Sequence, residues 1–509
     1  MKTNKIFSTV AAAALILCSS CYDLDRYPDS KMSSGTFFKT EAHAKAAMMA
    51  VYAQMHNDDV FGLRPSMDAL GGVACGYDNY AYQVFQRGTY ASTNAYISRK
   101  WNNLYEGVAR ANNVIRNIGT CDMSDDLKAQ YVAEARFMRG IYYTELLSFF
   151  GGVPLYDETT NIATDFNQML KPRASVEDTR KFILDDFDAA LVLPKTWATA
   201  ETGRATWGAA MSMKGKTYLY AKNYTEAEKC FNEVIKSNVY DLYNNYYDLF
   251  QPKGHNSSEM IFTIQNLGGV GQDFGMPTTF YLGSRSSFGS CWNNVMAAIT
   301  TVDSFEWNDG RPFSWEEFMP GKTSKEIFSS KMDAAYSKVI EYTPSKDALL
   351  AMYDQRDPRM KASVILPYTT YNGWVSNKAV TVEYVVPLTA TGANGTIPNN
   401  SQIFLAMNGG HYVYAWRKFV AEGNMDGKIN NRADTPINFP LVRYADVLLM
   451  EAECLNEMNR QDDAVNFINQ VRNRESVNMP GINSGPAYLK ATTKDEVFAR
   501  IRHERMVEL

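Results

Sequence analysis

The chain has 509 residues and a formal net charge of -5, with 51 Lys and Arg against 56 Asp and Glu. No run of Lys and Arg and no basic patch stands out, which argues against nucleic acid as a partner. The 31 tyrosines and 8 tryptophans are many for a globular protein, and such rings join a flat apolar face to a polar edge, as recognition surfaces require.

The N-terminus reads as a targeting segment. Lys2 and Lys5 precede an apolar run from Ile6 through Leu17. The run has the size of a signal core and is too short to span a bilayer as a mature helix. It leads into Leu15-Ile16-Leu17-Cys18-Ser19-Ser20-Cys21, where small residues before a cysteine suit a bacterial lipoprotein signal peptidase. Residues 1–20 are therefore expected to be a signal peptide, with Cys21 lipidated and the mature chain tethered to membrane lipid. No later stretch is apolar for 18 residues, so no further spanning segment is expected. Cys75, Cys121, Cys230, Cys291 and Cys454 remain, odd in number and far apart. They make no disulfide framework. Cys230 and Cys454 fall in apolar helical stripes and read as buried thiols.

Ala42, Ala46, Met49, Ala50 and Ala53 recur at helical spacing, as do Ala135, Met138, Tyr142, Leu146 and Phe149. The latter helix should stop at Gly151-Gly152-Val153-Pro154, and another is expected over Ser175–Leu193. Trp101 and Tyr105, at helical spacing with Val108 and Asn112, read as core. From Trp207 to Tyr220 the sequence carries two apolar stripes, Trp207/Met211/Gly215/Tyr218 and Ala209/Met213/Tyr220. A helix apolar on two sides is sandwiched between neighbours. A turn at Lys222-Asn223 and a second helix with Ala227, Cys230, Phe231 and Val234 follow. Leu441–Arg474 repeats the pattern, with stripes Leu441/Ala445/Leu448/Ala452/Leu455 and Val447/Met450/Cys454/Met458. A turn near Arg460 follows, then Ala464, Phe467, Ile468 and Val471. Gly215 precedes Ala227 by the same interval as Ala452 precedes Ala464. This is the small-residue packing of tetratricopeptide-like helix pairs.

The reading is a mainly α protein: one domain over 21–509, with a helical scaffold at about 36–237 and 439–509. A large loop-rich insertion at about 238–438 interrupts it and contains short strands, such as Met260–Gln265 and Val380–Val386. Long irregular segments on a rigid scaffold are where binding is found.

Motifs for catalysis are missing. The five histidines show no His-Glu-x-x-His spacing, and there is no Gly-x-Ser-x-Gly elbow and no phosphate loop. Glu422–Ile429 reads as a polar turn, since Ala433 stands where a calcium loop needs glutamate. No catalytic residue, metal site or cofactor is expected. Two loops have the mixture of rings and hydrogen-bonding groups that sugars need, flat faces for C–H and donors for hydroxyls. One holds Tyr77, Asp78, Asn79, Tyr80, Tyr82, Phe85 and Arg87; the other Tyr281, Arg285, Phe288, Trp292 and Asn293.

An ordered set of motifs resembles the SusD/RagB family of outer-membrane nutrient-binding lipoproteins. It comprises Cys21 with Asp23-Leu24-Asp25, Ala133–Gly140 leading to Phe150–Leu155, Asp309-Gly310-Arg311-Pro312 and Arg356-Asp357-Pro358-Arg359. Trp416-Arg417-Lys418-Phe419, Phe439–Glu453 and Ile468–Arg474 complete it. The resemblance implies four tetratricopeptide-like helix pairs with a variable loop-rich half facing outside. It implies a cell-surface, lipid-anchored outer-membrane protein without catalysis. Such a protein binds an oligosaccharide or polysaccharide and serves a SusC-like TonB-dependent transporter. A peptide or another nutrient on the same scaffold is the alternative, with a surface-anchored glycan hydrolase disfavoured. In that family the last helix runs on into a segment with further Arg and Trp positions; this chain ends at Leu509, and an incomplete chain is the expectation.

Overall fold

A computed structural model describes residues 37–62, 68–76, 82–160, 165–166, 169–268, 275–322, 328–389, 391, 393–412 and 414–509. The signal segment and Cys21 lie outside them. The long helices are α1 (Glu41–Ala53), α2 (Ala95–Asn117), α3 (Asp125–Phe150), α4 (Val176–Ala189) and α5 (Trp207–Tyr220). They continue with α6 (Tyr224–Lys236), α7 (Tyr444–Glu457), α8 (Gln461–Arg472) and α9 (Lys494–Glu508). Most start where the sequence supplies a cap. Ser124, Ser175, Thr206, Asn223 and Thr493 each accept a hydrogen bond from the backbone amide three residues on, satisfying a donor the first turn cannot. Among the described residues no helix is long and apolar enough to cross a membrane.

From α2 onward each helix packs on the next, up to α9. The two helix pairs legible in the sequence, α5–α6 and α7–α8, are far apart in the chain yet stack directly, α6 against α7. The superhelix is thus continuous in space and the insertion leaves from its side. Ala227, Cys230, Phe231 and Val234 are buried on α6, and Ala464, Ile468 and Val471 on α8. Gly215 explains the small residue: a Cβ there would stand 2.6 Å from a ring carbon of Phe231. Gly215→Val is therefore expected to cost about 1–3 kcal/mol in denaturant unfolding, and an unchanged midpoint would refute this packing role.

Two expectations need correction. In α1 the helix forms, but Ala44, Ala47, Met48 and Val51 face the core, while Ala42, Ala46, Met49, Ala50 and Ala53 face solvent. Alanines surround this helix, so its apolar contrast is weak, and Met48 and Val51 decide the face. In α5, Tyr220 is 61% exposed rather than part of a buried stripe.

The insertion closes on itself. Its first strand, Met260–Ile264, pairs antiparallel with Phe439–Arg443, the strand that leads into α7. The expected Val380–Val386 strand is Lys378–Glu383, one arm of a hairpin with Thr370–Val375. A short helix, Thr278–Leu282, stands in a stretch expected to be loop.

What clamps insertion to scaffold is a buried ionic hub. Arg359, fully buried, holds Asp357 at 2.7 Å and reaches Glu504 and Glu508 on α9. Arg443 and Arg474 bridge Glu508 to Glu259. Arg472 joins Glu504 to Glu306, which also takes Arg500. Five guanidiniums thus meet five carboxylates, and buried charges persist only when paired and hydrogen-bonded in this way. The family-like motifs around Arg356–Arg359, Arg443 and Arg472–Arg474 converge here, so they specify architecture rather than ligand contact.

Candidate functional site

The strands that flank the two loops singled out in the sequence pair with one another. Ala74–Gly76 pairs antiparallel with Val295–Ala297, with Gly76 opposite Val295. The first loop therefore leaves the ladder beside the point where the second enters it. Tyr77, Asp78, Asn79 and Tyr80 lie outside the described residues. Tyr82 opens the short helix Tyr82–Gln86. Phe85 is buried against Tyr90 and Tyr96, and Arg87 is exposed.

The second loop is built rigidly. Its serines are small enough for backbone to approach backbone. Ser286 O accepts the Trp374 amide at 2.8 Å, and Ser286 Oγ accepts the Ala406 amide at 3.0 Å. Ser287 Oγ lies 3.0 Å from the Tyr371 hydroxyl, which donates to Ala421 O. Gly289 and Ser290 both adopt positive φ, 73° and 58°, and turn the chain sharply. Cys291 is buried beneath the turn, and burial pushes its thiol up to about 12.

On this base stands an aromatic face. Trp292 is 40% exposed, the only one of the eight tryptophans that is exposed rather than buried or half-buried. Its ring lies 4.9 Å from that of Phe280, which in turn sits 4.9 Å from Tyr281. The Arg432 guanidinium lies 4.8 Å from the Phe280 ring centroid and 5.6 Å from that of Trp292, within cation–π range. Phe288 is half-buried and stacks near-parallel on Trp374. Asn293 differs from its expected place: it is fully buried, and its Oδ1 accepts the Asn408 amide at 2.7 Å. It secures the loop from below and offers nothing to solvent. Tyr281 is half-buried against the insertion's own core.

Sequence reasoning missed Phe280, Trp374 and Arg432. Phe280 adjoins Tyr281 and was within reach of the same argument. Trp374 and Arg432 come from distant segments, and no local pattern marks them. Among the described residues no group of three His, Cys, Asp or Glu side chains is placed to hold a metal ion. The face offers flat ring surface and hydrogen-bond donors on a fixed backbone.

Residues 258–509 match the SusD family, and residues 23–219 match a SusD-like group described as starch-binding and associating with the outer membrane. The chain belongs to the SusD family. Among curated relatives, a SusD-like protein of Formosa agariphila, P2, is 24% identical over 529 aligned residues, covering 100% of this chain and 88% of that protein. Two solved structures from Bacteroides fragilis share the fold. A SusD-like protein superposes with a TM-score of 0.71 at 20% identity, covering 95% of this chain and 86% of the other. A SusD-like carbohydrate-binding protein gives 0.66 at 23% identity, with coverages of 93% and 84%. The mainly helical, tetratricopeptide-like scaffold expected from the sequence is the scaffold of this SusD family member.

Proposed function

We propose that this protein captures an oligosaccharide or polysaccharide at the cell surface and passes it to a TonB-dependent outer-membrane transporter, without altering it. The exposed Trp292, held in a rigid aromatic cluster, is the observation that carries this reading. A sugar ring stacks its C–H face on such a ring, and nearby backbone and guanidinium groups bond its hydroxyls. Family membership, and the carbohydrate-binding name borne by one structural neighbour, support it. Cys21 supplies the lipid anchor, which leaves the loop-rich half free to face outward. The exposed Arg87, in the chain that follows the Ala74–Gly76 strand, extends the binding surface.

Affinity electrophoresis and calorimetry against a panel of glycans and peptides test this. We expect saturable binding to one class of glycan, weakened about tenfold or more by Trp292→Ala, a change of about 1.4 kcal/mol. Thermal unfolding should be unchanged, since the ring is partly exposed. Glycan affinity indifferent to Trp292→Ala would move the site elsewhere, and binding to peptides alone would reassign the ligand.

A further inference from the structure

Two cations meet beside the aromatic face with no counter-charge paired to them among the described residues. Arg285 Nη1 lies 3.3 Å from the Ser290 carbonyl oxygen, and Arg432 Nη1 lies 2.6 Å from the same atom. Their other partners are neutral: Asn408 Oδ1 for Arg285 and the Gly289 carbonyl for Arg432. Among the described residues no ion pair forms at either guanidinium, and Arg285 Nε is buried with no hydrogen-bond partner. Both cations lower the pKa of the buried Cys291 thiol between them, although burial dominates and raises it. The contrast with the rest of the molecule is sharp. Arg139, Arg204, Arg359, Arg443, Arg472 and Arg474 are all matched to carboxylates. Like charges sharing one acceptor repel, and part-buried guanidiniums without an anion forgo the strongest bond open to them.

Resting on the glycan-binding reading, we infer that the glycan bound on this face carries anionic groups, received by Arg285 and Arg432 while a neighbouring ring stacks on Trp292 and Phe280. A planar carboxylate or a sulfate ester fits the guanidinium fork equally well, and either would supply the missing counter-charge. The position of Arg432 over both rings sets the anion beside the stacking plane, where a substituent on a sugar ring projects.

The test uses the whole mature protein in calorimetry. The ligands are uronate-bearing, sulfated and neutral polysaccharides, each acidic one beside its carboxyl-reduced or desulfated counterpart. The acidic form of one polymer should bind about tenfold or more tightly than its neutralised form, and the preference should shrink at high salt. Whether the uronate or the sulfated arm responds identifies the anion. Arg432→Gln should abolish the preference while residual binding to the neutralised polymer, which reports an intact loop, persists. Equal affinity for acidic and neutralised forms, or a preference that survives Arg432→Gln, would overturn the inference and leave glycan binding standing. No binding to any polysaccharide would overturn both.

Discussion

Arg359→Met should lower the unfolding free energy by about 3–5 kcal/mol, the range seen when one member of a buried ionic cluster is removed. Arg359 is fully buried and meets Asp357, Glu504 and Glu508. Without it three carboxylates share a dry space with too few cations. The pH dependence should change as well. Burial pushes the Glu508 carboxyl up, but Arg474, Arg443 and Arg359 outweigh it and hold the group at about 2. A carboxyl depressed on folding contributes stability above the ordinary carboxylate range, and that stability is lost as pH falls through the folded value. The wild-type protein should therefore weaken steeply between about pH 4.5 and pH 2, and Arg359→Met should weaken less steeply there. The exposed Lys361–Asp354 pair serves as control; Lys361→Met should unfold like wild type, as surface pairs generally do. Denaturant titration across pH measures both. A loss below about 1 kcal/mol for Arg359→Met would mean that the hub is not a cooperative unit.

Glu451→Gln should do the opposite and stabilise the protein, by roughly 2–4 kcal/mol at pH 8. Glu451 lies on α7, 2% exposed, and its Oε2 is buried with no hydrogen-bond partner. Burial first, and then the nearby Glu228, push its carboxyl up to about 8. A folded-state value above the unfolded one means that the contribution is fully present below the unfolded value, near 4.5, and is lost as pH rises toward 8. Glutamine is close in shape to the protonated acid and cannot ionise. The gain should thus be large at pH 8 and vanish near pH 4.5. Melting temperatures at the two pH values decide the matter. A variant that is destabilised at pH 8 would show that the carboxylate is charged and matched there.

Local periodicity made the scaffold legible. Ala227, Cys230, Phe231 and Val234 mark one face of α6 because helix formation and burial act over the same few residues. Where that contrast is weak the reading fails, as at α1, whose alanines gave the wrong face. The site was legible only by composition. The segment from Tyr281 to Asn293 announces itself by rings and small polar residues, but sequence cannot say which side chains point outward. Trp292 stands exposed, and Asn293, next in the chain, is fully buried by a backbone turn. Arg432 reaches the same face from well over a hundred residues away, a tertiary fact without local trace. The same holds for the hub. Asp357 and Arg359 were visible as a motif, but their purpose appears only when α9 brings Glu504 and Glu508 to them.

The direct stacking of α6 on α7 sets the entropy of the whole insertion. Because Met260–Ile264 and Phe439–Arg443 pair, the insertion is a closed loop whose ends are fixed by the scaffold. The cost of closing such a loop grows only with the logarithm of its length, about 0.6 kcal/mol for each doubling. Segments can be gained or lost between those two strands at small cost to the helices that carry them. Ligand specificity can therefore drift while the scaffold stays put, so long as Glu259, Glu306, Asp357 and Arg359 keep their places against the C-terminal helices.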